Sequence, residues 1–329
     1  MDAKRAIRHW LTSRITAAGI RAAPRLSAGA VDFAESVVGR AAAHAPLLSR
    51  LVADNMRAVG LYSPAVHRAY FARVARHFGG ILHVFRHARR AAADDGGLDP
   101  RLAGVVEKRV QLDESFRVLR EAAGKGKGVV LMGAHPVDFM LALARLNQEL
   151  PISVYLRHSK AASKQEAKRR WCRTVGLSYI AEPASAANPA RRAEVMADAL
   201  TQGRVLVITP DLVQHRDEGV PVRFFDREVY LPGGAAALAL VVEAPLMAVL
   251  ARPAGEDAIC LAFHGPADAQ TPGRGKGRRQ EATRRLMQWF ADLMVNDFLK
   301  PHPELWFLWG DKRWTRVFRG DPRYTRLLV

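Results

Sequence analysis

Cysteine is scarce in this chain: Cys172 and Cys260 stand far apart, in no C-x-x-C spacing. That argues against a disulfide framework and a thiolate zinc site, and it fits a reducing compartment. Both read as small buried apolar residues rather than nucleophiles. Long uncharged runs are missing too. The longest weakly charged stretch, LPGGAAALALVVEAPLMAVLA at 231–251, is broken by paired glycines, Glu243 and Pro245. It suits a buried helix followed by a core strand better than a membrane span. Several signatures are absent: GxxxxGK[ST], GxGxxG after a strand, HExxH and G-x-S-x-G. Nucleotide-hydrolase, metalloprotease and α/β-hydrolase chemistry lose support accordingly. There is no internal repeat.

Negative charge is the other shortage. Fifty Lys and Arg face 32 Asp and Glu, a net charge of +18. Such a balance attracts polyanions: nucleic acid, an anionic membrane face or an acidic carrier protein. The plainer reading is a solubilising basic surface. Nucleic acid is disfavoured, because no helix-turn-helix signature, RNP motif or zinc spacing accompanies the charge. Apolar residues at 49% and charged residues at 25% describe an ordinary globular chain. The opening MDAKRAIRHWLTSRITAAGIRAA is no signal peptide, since charges interrupt every apolar stretch. It reads as a basic amphipathic helix. Trp10, Leu11, Ile15 and Ile20 share one side, and Lys4, Arg5, Arg8, Arg14 and Arg21 can reach anionic headgroups. A helix packed on its own domain is the competing reading.

Residues 1–100 show no convincing strand and read as helices. In SPAVHRAYFARVARHFGGILHVFRHARR, Ser63 is the expected cap and Pro64 the first helical residue. Val66, Tyr70, Val74, Phe78, Ile81 and Phe85 recur at helical spacing. AAADDGGLDP reads as a turn-rich connection. From about residue 109 strands and helices alternate. The strand candidates are VQLD, GVVLMG, ISVYLR, RVLVITP, PVRFF, PLMAVLA and AICLAFHG. The helical patterns between them are ESFRVLREAAGKG, VDFMLALARLNQ, SKQEAKRRWCRTVG and PARRAEVMADALTQG. QTPGRGKGRRQ reads as a basic loop, MQWFADLMVNDFL as a further helix, and LWFLWGDKRWTRVF combines aromatic and basic character. The expected fold is α/β: a mixed central sheet flanked by helices over 101–329, preceded by a helical, potentially membrane-associating region over 1–100.

Three stretches carry candidate chemistry. In GVVLMGAHPVDFM a buried-type strand runs to His135; Pro136 would open the next helix, with His135 near its N-cap and Asp138 three residues in. Positive potential at a helix start keeps an imidazole neutral, and a neutral imidazole can act as a base. A merely packed His135 and a backbone-capping Asp138 are the structural alternatives. In ITPDLVQHRDEG, Asp211 ends another strand and can orient His135 if the two strands are neighbours; otherwise it is a turn residue. His215, Arg216, Asp217 and Glu218 read as solvated. In GVPVRFFDREVYLPGGAAALAL, Gly233 and Gly234 introduce a helix whose start can meet an anion, Arg223 can contact a phosphate, and Phe224 and Phe225 read as core.

In this order the pieces resemble the late acyltransferases of lipid A biosynthesis, the lauroyl and myristoyl transferase group within the lysophospholipid acyltransferase superfamily. The resemblance runs from NMRAVGL at Asn55 to KRWTRVF. It rests on GKGVVLMGAH, TPDLVQ, GVPVRFFDREVYLPGGAAALALVVEAPLMAV and PELWFLWGDKRW. It implies acyl transfer from a thioester, acyl carrier protein or acyl-CoA, to a hydroxyl or amine of a membrane lipid. His135 would be general base, with helix-start N–H groups or a basic residue steadying the oxyanion. It implies no metal or redox cofactor, and a peripheral place on the cytoplasmic face of the bacterial inner membrane. Three positions depart from the family pattern. Met140 stands five after His135, where an acid is expected, leaving Asp138 and Asp211 as competing partners of the imidazole. Leu177 replaces an arginine, for which Arg173 or Arg157 can substitute. Asp311 replaces a histidine. Arg157, Arg173 and Arg223, with Gly233 and Gly234, are the expected substrate contacts. The alternative function is a non-catalytic acyl-chain or acyl-carrier binding protein on the same fold.

Overall fold

The protein is described by a computed structural model over residues 22–87, 98–156, 159, 162–181, 189–268 and 276–328. The basic amphipathic segment at 1–21, residues 270–275 of the basic loop, and Arg157 lie outside these residues. Four helices come first: α1 (Ala28–His44), α2 (Pro46–Arg57), α3 (Pro64–His87) and α4 (Pro100–Arg109). Local chemistry sets their starts. The Ser27 hydroxyl accepts the Ala30 N–H at 3.1 Å, Ser63 accepts that of Val66 at 3.1 Å, and Asp99 accepts that of Arg101 at 2.9 Å. Proline opens α2, α3 and α4, where its missing N–H costs nothing.

The chain then alternates through β1 (Val110–Leu112), α5 (Phe116–Ala123), β2 (Val129–Gly133), α6 (Phe139–Glu149), β3 (Ile152–Leu156), α7 (Ala162–Thr174), β4 (Ser178–Ala181), α8 (Pro189–Thr201) and β5 (Val205–Ile208). A hairpin of β6 (Val220–Phe224) and β7 (Arg227–Leu231) follows, then α9 (Gly234–Val242), β8 (Leu246–Ala254) and β9 (Ala258–His264). Next come α10 (Lys276–Leu293), a π-helical turn at Met294–Leu299, α11 (Lys312–Phe318) and β10 (Thr325–Leu327). The KGRRQ end of the expected basic loop is therefore the first turn of α10.

Seven strands form one sheet in the order β1-β9-β8-β2-β5-β3-β4, with β8–β9 the one antiparallel pair. The mixed α/β sheet with a helical N-terminal region is the architecture that the alternating pattern predicts. β2 lies between β8 and β5, and all five of its residues are buried, which is why VVLMG is a continuous apolar run. Three short strands escape the sequence pattern. β4 has four residues at a sheet edge. β7 and β10 join β6 in a small antiparallel sheet, where Arg227 and Glu228 interrupt any apolar rhythm. Phe78 fits the apolar spacing of α3 yet faces outward, 43% exposed.

Hydrogen bonds from buried polar side chains tie the first helices to the β8–β9 hairpin and to the C-terminal segment. Arg73 donates to the carbonyls of Ala258 and Gly255 at 2.9 and 2.8 Å. Asn55 donates to the Trp309 carbonyl at 2.7 Å and to the Thr315 hydroxyl at 3.0 Å. The lead-in to β2 is equally constrained. Gly128 has φ +63°, and a β-carbon there would stand 2.6 Å from the Leu200 carbonyl oxygen and 2.8 Å from that of Arg204. Gly128→Ala combines left-handed strain with a clash against backbone that cannot yield. It should destabilise the fold by roughly 2–4 kcal/mol, read as a shifted urea midpoint.

Candidate active site

The register between β2 and β5 places the first two candidates. Met132 pairs with Ile208 in parallel. His135 lies three residues beyond Met132 and Asp211 three beyond Ile208, so both leave the sheet at the same level, at the carboxyl ends of adjacent strands. There the Asp211 carboxylate accepts the His135 backbone N–H at 2.7 Å and meets the ring Nδ1 at 2.5 Å. Trp306 Nε1 donates to the same carboxylate at 3.1 Å, and Trp314 Nε1 to the Asp211 carbonyl at 2.8 Å. Asp211 is wholly buried, whereas the His135 side chain keeps 15% of its surface. An ionised Asp211 fixes the proton on Nδ1 and leaves the lone pair on Nε2. Burial pushes the His135 pKa down, but the Asp211 charge and hydrogen bond, aided by Asp311, outweigh it and hold the value above the usual 6.5.

The expected helix start at Pro136 does not form. Pro136 makes an antiparallel bridge with Trp306, flanked by Val137 N–H to the Leu305 carbonyl at 2.7 Å and Phe307 N–H to the His135 carbonyl at 2.9 Å. Pairing with this distant strap takes the backbone groups that a helical turn would use. α6 begins instead at Phe139, and Asp138 becomes its N-cap in a left-handed conformation, φ 61°. His135 therefore stands on a strand-end loop rather than at a helix N-cap, and its basicity comes from Asp211.

Asp138 turns toward a residue with no role in the sequence reading. Its backbone N–H donates to Nδ1 of His77 on α3 at 3.1 Å, and its Oδ1 lies 3.9 Å from the same nitrogen without a hydrogen bond. Burial, opposed by Arg109 and reinforced by Glu35, pushes the Asp138 pKa up to about 6. Burial, with the nearby His135 and Arg109, lowers that of His77 to about 3. His77 stays neutral. Its ring stacks on Phe139 with centroids 5.0 Å apart, and Phe139 in turn meets His135 edge-on at 5.2 Å.

A cavity of about 1060 Å³ opens at His135, just above the ~300–1,000 Å³ usual for small-ligand sites. Its wall is mainly aliphatic, including Leu143 and Leu146 of α6, Met196 of α8 and Leu238 of α9. Gly233 and Gly234 border it at the start of α9. A β-carbon on Gly233 would meet Val220 at 2.5 Å, so glycine there lets the two segments approach. Among the described residues, Lys168 and Arg192 are the Lys and Arg side chains lining it. The other arginines read from the sequence are not among the lining residues: Arg173 pairs with Glu166 on the exposed side of α7, and the exposed Arg223 is held on β6 next to Gln288. Leu177 is buried in the core and Met140 is partly buried against it. Asp311 caps α11, accepting the Arg313 and Trp314 N–H groups at 2.8 and 3.2 Å. The described residues contain no group of three or more His, Cys, Asp or Glu side chains arranged to hold a metal.

The buried Asp138 has a measurable signature. The unfolded chain loses this proton near 3.8 and the folded one near 6, so stability falls as pH rises through that window and levels off above it. The loss amounts to about 3 kcal/mol. Asp138→Asn should remove this component and be more stable than the parent at pH 8, with little difference at pH 3, in denaturant titrations. Curated proteins give no match. The family model described as bacterial lipid A biosynthesis acyltransferase matches residues 84–316, a span containing His135, Asp211, both glycines and the aromatic strap. The chain belongs to the bacterial lipid A biosynthesis acyltransferase family.

Proposed function

We propose that this protein moves a fatty acyl group from a thioester donor, acyl carrier protein or acyl-CoA, to a hydroxyl or amine of a lipid A-type glycolipid, with His135 as general base. The observation that carries the reading is the buried Asp211 carboxylate on Nδ1 of an imidazole that lines an apolar cavity. Nε2 takes the acceptor proton as the acceptor atom attacks the thioester carbonyl carbon. Asp211 stabilises the imidazolium that results. The tetrahedral oxyanion collapses, the C–S bond breaks, and the leaving thiolate takes the proton back from His135. The first-turn N–H groups of α9, beside Gly233 and Gly234 at the edge of the cavity, would steady the oxyanion. The missing acid at Met140 does not count against catalysis here, because Asp211 already occupies Nδ1. Lys168 and Arg192 are better placed than Arg173 or Arg223 to meet an anionic group of a substrate in this cavity.

Membrane association is part of the same proposal. No helix among the described residues is long and apolar enough to cross a membrane. The N-terminal helices nevertheless expose Phe33, Val37, Leu47, Leu48 and Phe78. With a net charge of +18, this supports peripheral attachment to an anionic leaflet, the cytoplasmic face of the inner membrane.

Acyl transfer from a long-chain acyl thioester to extracted lipid A acceptor tests the chemistry. His135→Ala and Asp211→Asn should each lower kcat roughly 10²–10⁴-fold. The parent's kcat/KM should fall with acid, with a midpoint above 6.5, because protonated His135 cannot accept a proton. Tight thioester binding with no turnover by the parent would instead establish a non-catalytic acyl-binding protein. For the membrane, Phe33→Ser with Leu47→Ser should weaken flotation with phosphatidylglycerol vesicles at least tenfold, since each buried side chain contributes ~1.5–3 kcal/mol. Added salt should weaken flotation of the parent as well.

A further inference from the structure

Catalytic geometry in this family reading depends on where the His135 ring points, and Asp211 restrains only one edge of it. The other restraint comes from α3, in the N-terminal helical region. His77 is 3% exposed. Its Nδ1 accepts the amide N–H of Asp138, a non-glycine residue at φ 61° and the last residue before α6. The same ring stacks on Phe139 at an interplanar angle of 28° and is tilted against Phe307 at 4.9 Å. Phe139 and His135 meet in a T-shaped contact at 73°, and Phe307 donates its N–H to the His135 carbonyl. Both residues flanking the His135 loop are thus in contact with one imidazole.

We infer that His77 is a positioning residue for His135: its unprotonated Nδ1 holds the Asp138 amide and so locks the left-handed turn that sets Phe139 against the His135 ring. The inference rests on the proposed acyl transfer for its kinetic consequence, but the geometry is independent of it. Left-handed backbone at a residue with a side chain is strained and persists only where its surroundings enforce it. A buried amide N–H without an acceptor adds a further penalty. His77 meets the second demand and thereby enforces the first. The arrangement needs the tautomer with its proton on Nε2.

Two substitutions separate hydrogen bonding from packing. Asparagine places a carbonyl oxygen close to where Nδ1 sits but has no ring; phenylalanine keeps the ring but accepts nothing. His77→Asn should therefore retain kcat within about threefold, while His77→Phe should lose ~10–100-fold in kcat with KM within about twofold. The low-field proton resonance of His135 Nδ1–H should be preserved in His77→Asn and displaced in His77→Phe. A normal kcat and resonance in His77→Phe, or equal losses in both variants, would overturn the inference and leave His77 as packing alone. Should either variant fail to fold, nitrogen-15 spectra of the parent still decide: His77 carrying its proton on Nδ1 would overturn it. Parent and His135→Ala are assayed alongside. If the parent proves inactive, acyl transfer falls, and the His135 resonance in the two His77 variants still tests the positioning.

Discussion

A carboxylate with no solvent exposure, bonded to an imidazole at the end of the neighbouring strand, is the interaction on which the site depends. A charge so placed would be costly unless hydrogen-bonded. Asp211 is supplied by its surroundings: the amide and ring of His135 and the indole of Trp306 all meet its oxygens, and Trp314 takes its carbonyl. Every one of these donors satisfies an oxygen that would otherwise be buried without a partner. The consequence is an imidazole more basic than usual in a half-buried place, the reverse of what burial alone would do.

Three distant parts of the chain meet around this pair. The sheet delivers His135 and Asp211 through the equal offsets of β2 and β5. The strap at Leu305–Phe307 adds a backbone ladder to the His135 loop and the indole to the carboxylate. Helix α3 contributes His77 beneath the turn. Trp306, Trp309 and Trp314 are fully buried and pack edge-to-face at 4.8–4.9 Å, so the strap is an aromatic wedge that holds by packing as well as by its polar contacts.

Much of this was legible in the residues. The runs GVVLMG and RVLVI have the composition of doubly covered strands, and each ends abruptly on a polar residue, which is how His135 and Asp211 became candidates. Their adjacency depends on the strand order, which no local pattern encodes. The stretch HPVDF has every local sign of a helix start, and the structure differs because Leu305–Phe307, remote in sequence, compete for its backbone. His77 sits in an amphipathic helix at a spacing indistinguishable from core, so nothing marked its imidazole as an acceptor. Proximity to motifs does not find the cavity's cations: Arg173 and Arg223 lie elsewhere because helix and strand faces, not sequence distance, decide what points inward. Lys168 and Arg192 reach the cavity from α7 and α8, whose charged faces offered no signal.

The aromatic wedge also bears on biosynthesis. Ribosomes deliver α3, then the paired strands, and only afterwards the indoles that bond Asp211. Until residues 306 and 314 have emerged, the carboxylate lacks one of its donors, the Asp211 carbonyl lacks its indole, and the histidine loop has no strap to pair with its backbone. An unfinished chain therefore carries both members of the pair, and the register that brings them together, before the strap and indoles that complete their surroundings.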